Sequence, residues 1–300
     1  MTHNLLGIIM VLIGSILFSA KAIFVKLIYI EGLDGIEALT LRLLFALPFY
    51  IASLIWIIHF KKVPEFVKPS HYLIVAFYGF LGYYFASYFD FIGLMYISAG
   101  LERLVLFIYP TLVVLLNYIF FQRKLMKWDI LALFITYSGI LIAYLHDAQL
   151  GGENVNLGVL CVLLSALTYA VYLMGSGHWI PKMGVNFFTT IAMLTAVACV
   201  FLQFTVTRNW SRFLDFNCRI LLIGFFLGVF TTVIPSYLIS AGIHRIGSSK
   251  SSILSSIGPV STLILAYFIL GESIGFYQIL GTFLVLLGVV LIGKRKYESS

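Results

Sequence analysis

The chain is predicted to be an all-α polytopic membrane protein with ten transmembrane helices, arranged as a 5+5 inverted-topology repeat. Three observations carry that prediction. Of its 300 residues, 61% are hydrophobic and only 10% charged, whereas a soluble domain carries about 25% charged residues. Apolar runs long enough to cross a bilayer, roughly 20 residues each, recur along the whole length. The second half also repeats landmarks of the first.

The same composition excludes a water-soluble fold and a disordered chain. The three cysteines, Cys161, Cys199 and Cys218, form no disulfide framework. Apolar segments between charged or turn-forming breaks lie near 5–28, 36–60, 72–91, 99–121, 128–145, 157–177, 185–206, 219–241, 250–270 and 275–293. Runs such as Leu131 to Leu145 and Gly281 to Ile292 lack the strict alternation of a membrane barrel, so backbone satisfaction in lipid demands helices. The first segment, Leu5 to Phe18 followed by Ala20-Lys21-Ala22, has the outline of a signal-peptide core. It is read as a spanning helix, because no Lys or Arg precedes it and the apolar stretch resumes after Lys21.

Orientation follows from Lys and Arg in alternate connectors. One side collects Lys61, Lys62, Lys68, Arg123, Lys124, Lys127, Lys182, Arg245, Lys250, Lys294, Arg295 and Lys296, against Arg208, Arg212 and Arg219 on the other. The expectation is a multi-pass protein of the cell's inner (plasma) membrane with both termini in the cytoplasm. Glu31, Asp34, Asp90, Asp147, Glu153 and Glu272 are assigned to the outer connectors. The net charge of +7 is then a topology signal and a contact with lipid headgroups. The bilayer is the expected partner, and nucleic acid is not.

Sliding residues 72–144 by 149 positions superposes Gly79 on Gly228, Ser87-Tyr88 on Ser236-Tyr237, Gly93 on Gly242, Pro110 on Pro259 and Gly139 on Gly288. A second block aligns Asn4-Leu5-Leu6-Gly7 with Asn156-Leu157-Gly158. The units predicted are 1–147 and 148–300. Five helices per unit is an odd number, so the second unit enters the membrane inverted, the arrangement of many alternating-access carriers.

These residues resemble the EamA-type family of the drug/metabolite transporter superfamily. The resemblance rests on the 5+5 plan, Leu41-Arg42-Leu43 early in helix two, Pro110 and Pro259 within helices four and nine, and Leu270-Gly271-Glu272 closing helix nine. The first half departs from it, with Gln122-Arg123 at the place of the Gly-Glu pair. The resemblance covers the whole chain and implies a secondary carrier of a small polar metabolite, often an exporter of amino acids or related carboxylate-bearing compounds.

Ionisable residues within a span are costly and face the bundle interior, which singles out Lys21, Arg42, Glu102 and Arg103. At 1.5 Å per residue, Arg42 sits about 9 Å below the outer end of its helix, and the other three share that half of the membrane. One reading is an outer vestibule in which Glu102 pairs with one cation while the others attract a substrate carboxylate. The alternative has Lys21 and Arg103 snorkelling and Arg42 bonded to a carbonyl. Ser252, Ser255, Ser256 and Pro259 fall on one helical face, whose repeat mates include Arg103 and Pro110. Such serines either line a path or bond their own helix. Tyr88 and Tyr237 are retained as substrate-binding candidates because the repeat keeps both type and place. Pro110 and Pro259 are candidate kinks. Gly224 and Gly228 form a GxxxG pair, expected to allow close packing within the bundle.

No His-Glu-x-x-His, Cys-x-x-Cys, P-loop or Gly-x-Ser-x-Gly motif occurs, so no enzyme activity, cofactor or metal is expected. Without a nucleotide-binding motif, transport must draw on gradients. Two rival classes are a passive channel and a membrane-embedded enzyme acting on lipid or prenyl substrates.

Overall fold

A chain in lipid must pair its peptide groups within each segment. The computed structural model describes residues 2–60, 68–121, 127–149 and 154–293, and among them every regular element is helical. The first half contains α1 (Thr2–Ser19), α2 (Lys21–Ile30), α3 (Gly35–His59), α4 (Pro69–Gly79), a π-helical turn (Phe80–Phe85), α5 (Ala86–Leu94), α6 (Ala99–Leu106), α7 (Tyr109–Phe121) and α8 (Lys127–Gln149). The second contains α9 (Val155–Met183), α10 (Val185–Thr207), a short 3-10 turn (Trp210–Asp215), α11 (Cys218–Gly228), a π turn (Val229–Val233) and α12 (Ile234–Ile246). It closes with α13 (Ser248–Leu254), α14 (Ile257–Leu265), a third π turn (Ala266–Leu270) and α15 (Phe276–Gly293).

Among the described residues, seven stretches are long and apolar enough to cross a bilayer: Asn4–Ile30, Gly35–His59, Pro69–Leu94, Val155–Met183, Val185–Thr207, Cys218–Ile246 and Lys250–Leu270. Ile130–Leu145 and Phe276–Leu291 are shorter apolar helices. The predicted helix over 99–121 is present as two pieces, because Phe107 and Ile108 form a turn between α6 and α7. Large apolar side chains such as Phe134, Leu202, Phe268 and Phe283 face outward, a surface suited to lipid rather than water.

Irregularities recur at the repeat spacing. The π turns at Phe80 and Val229 start at matched positions, and the turn at Phe107-Ile108 has its counterpart, within one residue, at Ser255-Ser256. Each turn lies just ahead of a proline. Pro110 and Pro259 fall in the first turns of α7 and α14, where a missing N–H goes unmissed. The prolines therefore open a new helical piece instead of bending the middle of one.

Contacts sort the helix ends into two sets. At one, Gly7 of α1 meets Arg245 and Ile246 of α12, and His71 of α4 meets Trp179 of α9. At the other, Gly35 of α3 lies against Ile92 and Met95, and Gly158 of α9 against Tyr96 and Ile97. Three ion pairs join that second end, Asp34–Arg208 at 2.6 Å, Glu37–Arg212 at 2.5 Å and Glu31–Arg219 at 3.1 Å. Lys61, Lys62, Arg123, Lys124, Glu153, Lys294, Arg295, Lys296 and the Gln122-Arg123 pair lie outside the described residues, as do the side chains of Lys127 and Asp147.

The GxxxG pair packs inside the bundle, against α3. A methyl group on Gly228 would stand 2.7 Å from the Arg42 carbonyl oxygen, and one on Gly224 2.5 Å from Leu41 Cγ. Gly228→Leu is expected to destabilise by about 1–3 kcal/mol through overpacking and to slow transport by displacing Arg42. Thermal unfolding in detergent checks the first effect; an unchanged midpoint would mean the contact yields freely.

Candidate functional site

The in-span charges predicted from the sequence are all buried. Lys21, Arg42 and Arg103 are 2%, 1% and 5% exposed and Glu102 is fully enclosed. The three cations line one internal cavity, together with Ser15 and Phe18 of α1, Tyr83, Ser87 and Asp90 from the third span, Tyr109 of α7, Tyr169 of α9 and Ser255. Snorkelling is thus not what these side chains do.

Arg42 is held by two hydroxyls from opposite halves. Its Nε donates to Thr232 Oγ1 at 2.6 Å and its Nη1 to Ser87 Oγ at 3.0 Å, while its guanidinium lies 5.6 Å from the Phe91 ring. Ser87 and Thr232 belong to equivalent stretches of the repeat, so Arg42 stands where the two halves meet. A smaller hollow continues past it toward Thr232 and Ser236.

Lys21 is ion-paired with Asp90, and its Nζ is 4.0 Å from Glu102 Oε1. The assignment of Asp90 to an outer connector is corrected here. Helix α5 runs on to Leu94, which carries the carboxylate inside the bundle at 1% exposure. Burying a lone lysine is costly unless it is paired, and Asp90 is the partner that makes Lys21 tolerable. The signal that could have found it is spacing. Tyr83, Ser87 and Asp90 recur on one helical face, four and three residues apart.

Arg103 lines the cavity, its Nη2 donates to Ser19 Oγ at 2.8 Å, and its Nε, buried beside Gly258, has no hydrogen-bond partner. Helix α6, which carries Glu102 and Arg103, is only eight residues long and depends on its caps. Ser98 accepts from the Leu101 N–H at 3.1 Å, and Glu272 accepts from the Ala99 and Gly100 N–H groups at 3.1 and 3.4 Å. The Leu270-Gly271-Glu272 turn is thereby tied to the helix that bears the site.

The remaining candidates divide. Ser255 lines the cavity and accepts from Ser15 Oγ at 2.8 Å. Ser252 is buried and Ser256 half-buried, neither on the cavity wall. Tyr88 stacks on Tyr84, and Tyr237 shares a 2.9 Å hydrogen bond with Thr190 and packs on Tyr50; neither lines the cavity. Their place is taken by Tyr83, whose hydroxyl accepts from Tyr172 at 2.9 Å. Among the described residues, no group of three or more His, Cys, Asp or Glu side chains is placed to hold a metal ion.

A multi-pass helical membrane protein with a cation-lined interior is the class that fold and site define. The chain belongs to the EamA-like transporter family, whose profile matches residues 5–145 and again 156–294, and it is a transporter of that family. It is similar to the "Uncharacterized transporter YcbK" of Bacillus subtilis, at 30% identity over 92% of this chain and 88% of that protein. It is similar also to the "Uncharacterized transporter sll1319" of Synechocystis, at 24% identity over 99% and 96% of the two chains. A solved structure titled "Crystal structure of protein" has the same fold, with a TM-score of 0.69 at 16% identity over 97% of this chain and 96% of the other.

The ion pairs at the Asp34 end tie the α2–α3 turn to the α10–α11 connector. Both partners of the Asp34–Arg208 pair are partly exposed, so it contributes no more than about 1 kcal/mol. Arg208→Ala is expected to leave unfolding nearly unchanged and to make transport less sensitive to ionic strength. A salt titration of flux in both forms checks this.

Proposed function

We propose that this transporter is a ten-helix secondary carrier that moves small carboxylate-bearing metabolites, amino acids foremost, outward across the inner membrane by alternating access. The observation that carries the reading is the buried trio of Lys21, Arg42 and Arg103 around one cavity, with Arg42 bonded to both halves. A cation kept away from water attracts a carboxylate far more strongly than an exposed one, and Arg adds a fork that fits its two oxygens. The hydroxyls of Ser15, Tyr83, Tyr109 and Ser255 supply further polar contacts along the wall.

The inverted 5+5 plan, with units 1–147 and 148–300, is supported by the double family match, the paired π turns and proline breaks, and the sorting of helix ends. In that plan the interrupted α6–α7 rod, α8 and α15 supply the crossings beyond the seven long apolar stretches. Both termini lie in the cytoplasm, the Asp34 end faces outward, and its three ion pairs hold the outer mouth shut in this state.

Counterflow tests the carrier reading. Liposomes holding the purified protein and unlabelled L-amino acids are expected to draw in labelled amino acid transiently above its equilibrium level. Passive equilibration without that overshoot would identify a channel, and no flux would remove amino acids as substrates.

A further inference from the structure

Glu102 lies behind the cavity wall, fully buried, and no hydrogen-bond donor reaches either of its carboxyl oxygens. Its neighbours are occupied elsewhere. Lys21 is committed to Asp90 and stays 4.0 Å from Glu102 Oε1, and the Arg103 guanidinium turns to Ser19. Asp90 and Glu102 flank the same Lys21 ammonium, and Asp90 Oδ1, on a side chain that lines the cavity, also lacks a donor. Two ionised carboxylates side by side would leave three buried acceptors empty, an arrangement that folded proteins avoid. One proton on Glu102, donated to Asp90 Oδ1, satisfies that acceptor and removes the repulsion.

We propose that Asp90 and Glu102 together hold one exchangeable proton, and that the ammonium group of a bound amino acid competes with it for Asp90 Oδ1, so the carrier exchanges proton for substrate. What the proton does rests on the amino-acid carrier reading; where it sits does not. The surroundings allow the swap. Lys21 meets the pair from α2, where Tyr29 donates to the carbonyl of Phe91 beside Asp90. Arg103 follows Glu102 on α6 and lines the cavity with Tyr169 of α9. α14 and α15 approach α6 through Gly258, Leu263 and Gln278, and the buried side chains described in α8 are uncharged.

With the pair open to the outside, Glu102 takes a proton from water and donates it to Asp90. With the cavity open to the inside, the substrate ammonium occupies Asp90 Oδ1 while its carboxylate meets Arg42 and Arg103. Glu102 then loses its acceptor beside an added positive charge, and its proton leaves to cytoplasmic water. An inward proton gradient thereby drives substrate out.

Two measurements on the purified full chain test this, with Glu102→Gln as the variant because its amide still donates to Asp90 but releases nothing. Infrared absorption at neutral pH, in ordinary and heavy water, is expected to contain a protonated-carboxyl band in the wild type that is lost in Glu102→Gln. In liposomes, a pH gradient is expected to drive accumulation of a labelled L-amino-acid mixture by the wild type, and that uphill movement is lost in the variant. A wild type without the band, or a variant that still accumulates label on a pH gradient, overturns the proposal. If the wild type has no amino-acid counterflow, the carrier reading falls and the infrared band alone decides the proton site.

Discussion

Arg42→Ala is expected to abolish counterflow while the protein still inserts and folds. The side chain donates to Thr232 and Ser87 and lines both hollows, so its loss removes the cation nearest the junction of the halves. A charge-assisted hydrogen bond is worth about 1.5–3 kcal/mol, which for a bidentate carboxylate corresponds to a loss of affinity on the order of 100-fold or more. Arg42→Lys keeps the charge without the fork and is expected to recover only part of the flux. Lys26, half-buried near the end of α2 and off the cavity wall, supplies the control, with Lys26→Ala expected to be mild. Normal flux in Arg42→Ala would remove this residue from the substrate path.

The largest effect on stability is expected at Asp90. Asp90→Ala leaves Lys21 buried at 2% exposure without its near ion-pair partner and with only Glu102 at 4.0 Å; breaking a buried pair typically destabilises by about 3–5 kcal/mol. Adding Lys21→Met to that background removes the stranded charge and is expected to return most of the lost thermal stability, since an apolar pair can replace a buried ion pair. Transport is not expected to return with it, because Lys21 and Asp90 both line the cavity. Thermal unfolding in detergent, alongside counterflow, separates the two readouts. A double variant no more stable than Asp90→Ala would mean the pair is not what holds this region together.

The site was legible where a charge interrupts an apolar run. Lys21, Arg42, Glu102 and Arg103 each stand alone in lipid-soluble sequence, and in the structure all four are buried around one cavity. Asp90 escaped because it lies near the end of its run, where a carboxylate reads as a connector residue. Its spacing from Ser87 and Tyr83 was the available signal, and the partner, sixty-nine positions away, accounts for its burial. Tyr83 lines the cavity but was not selected, because its repeat mate is a threonine, Thr232. Repeat identity selected Tyr88 and Tyr237, which face neighbouring rings and hydroxyls instead of the cavity. Proline position foretold a discontinuity in each half but not its form, because a break ahead of the ring and a kink beneath it both satisfy the missing N–H.

Accessibility from the two membrane faces tests alternating access most directly. In a chain with its three native cysteines replaced, Ser255→Cys places one thiol on the cavity wall. It should react with a membrane-impermeant thiol reagent from either face, more slowly when amino acid is present. Asp34→Cys and Arg208→Cys, joined by a short bifunctional crosslinker before Ser255→Cys is labelled, should confine reaction to the opposite face. Labelling from both faces with that end locked, or from neither in the unlocked protein, would contradict a passage opened in turn between two halves.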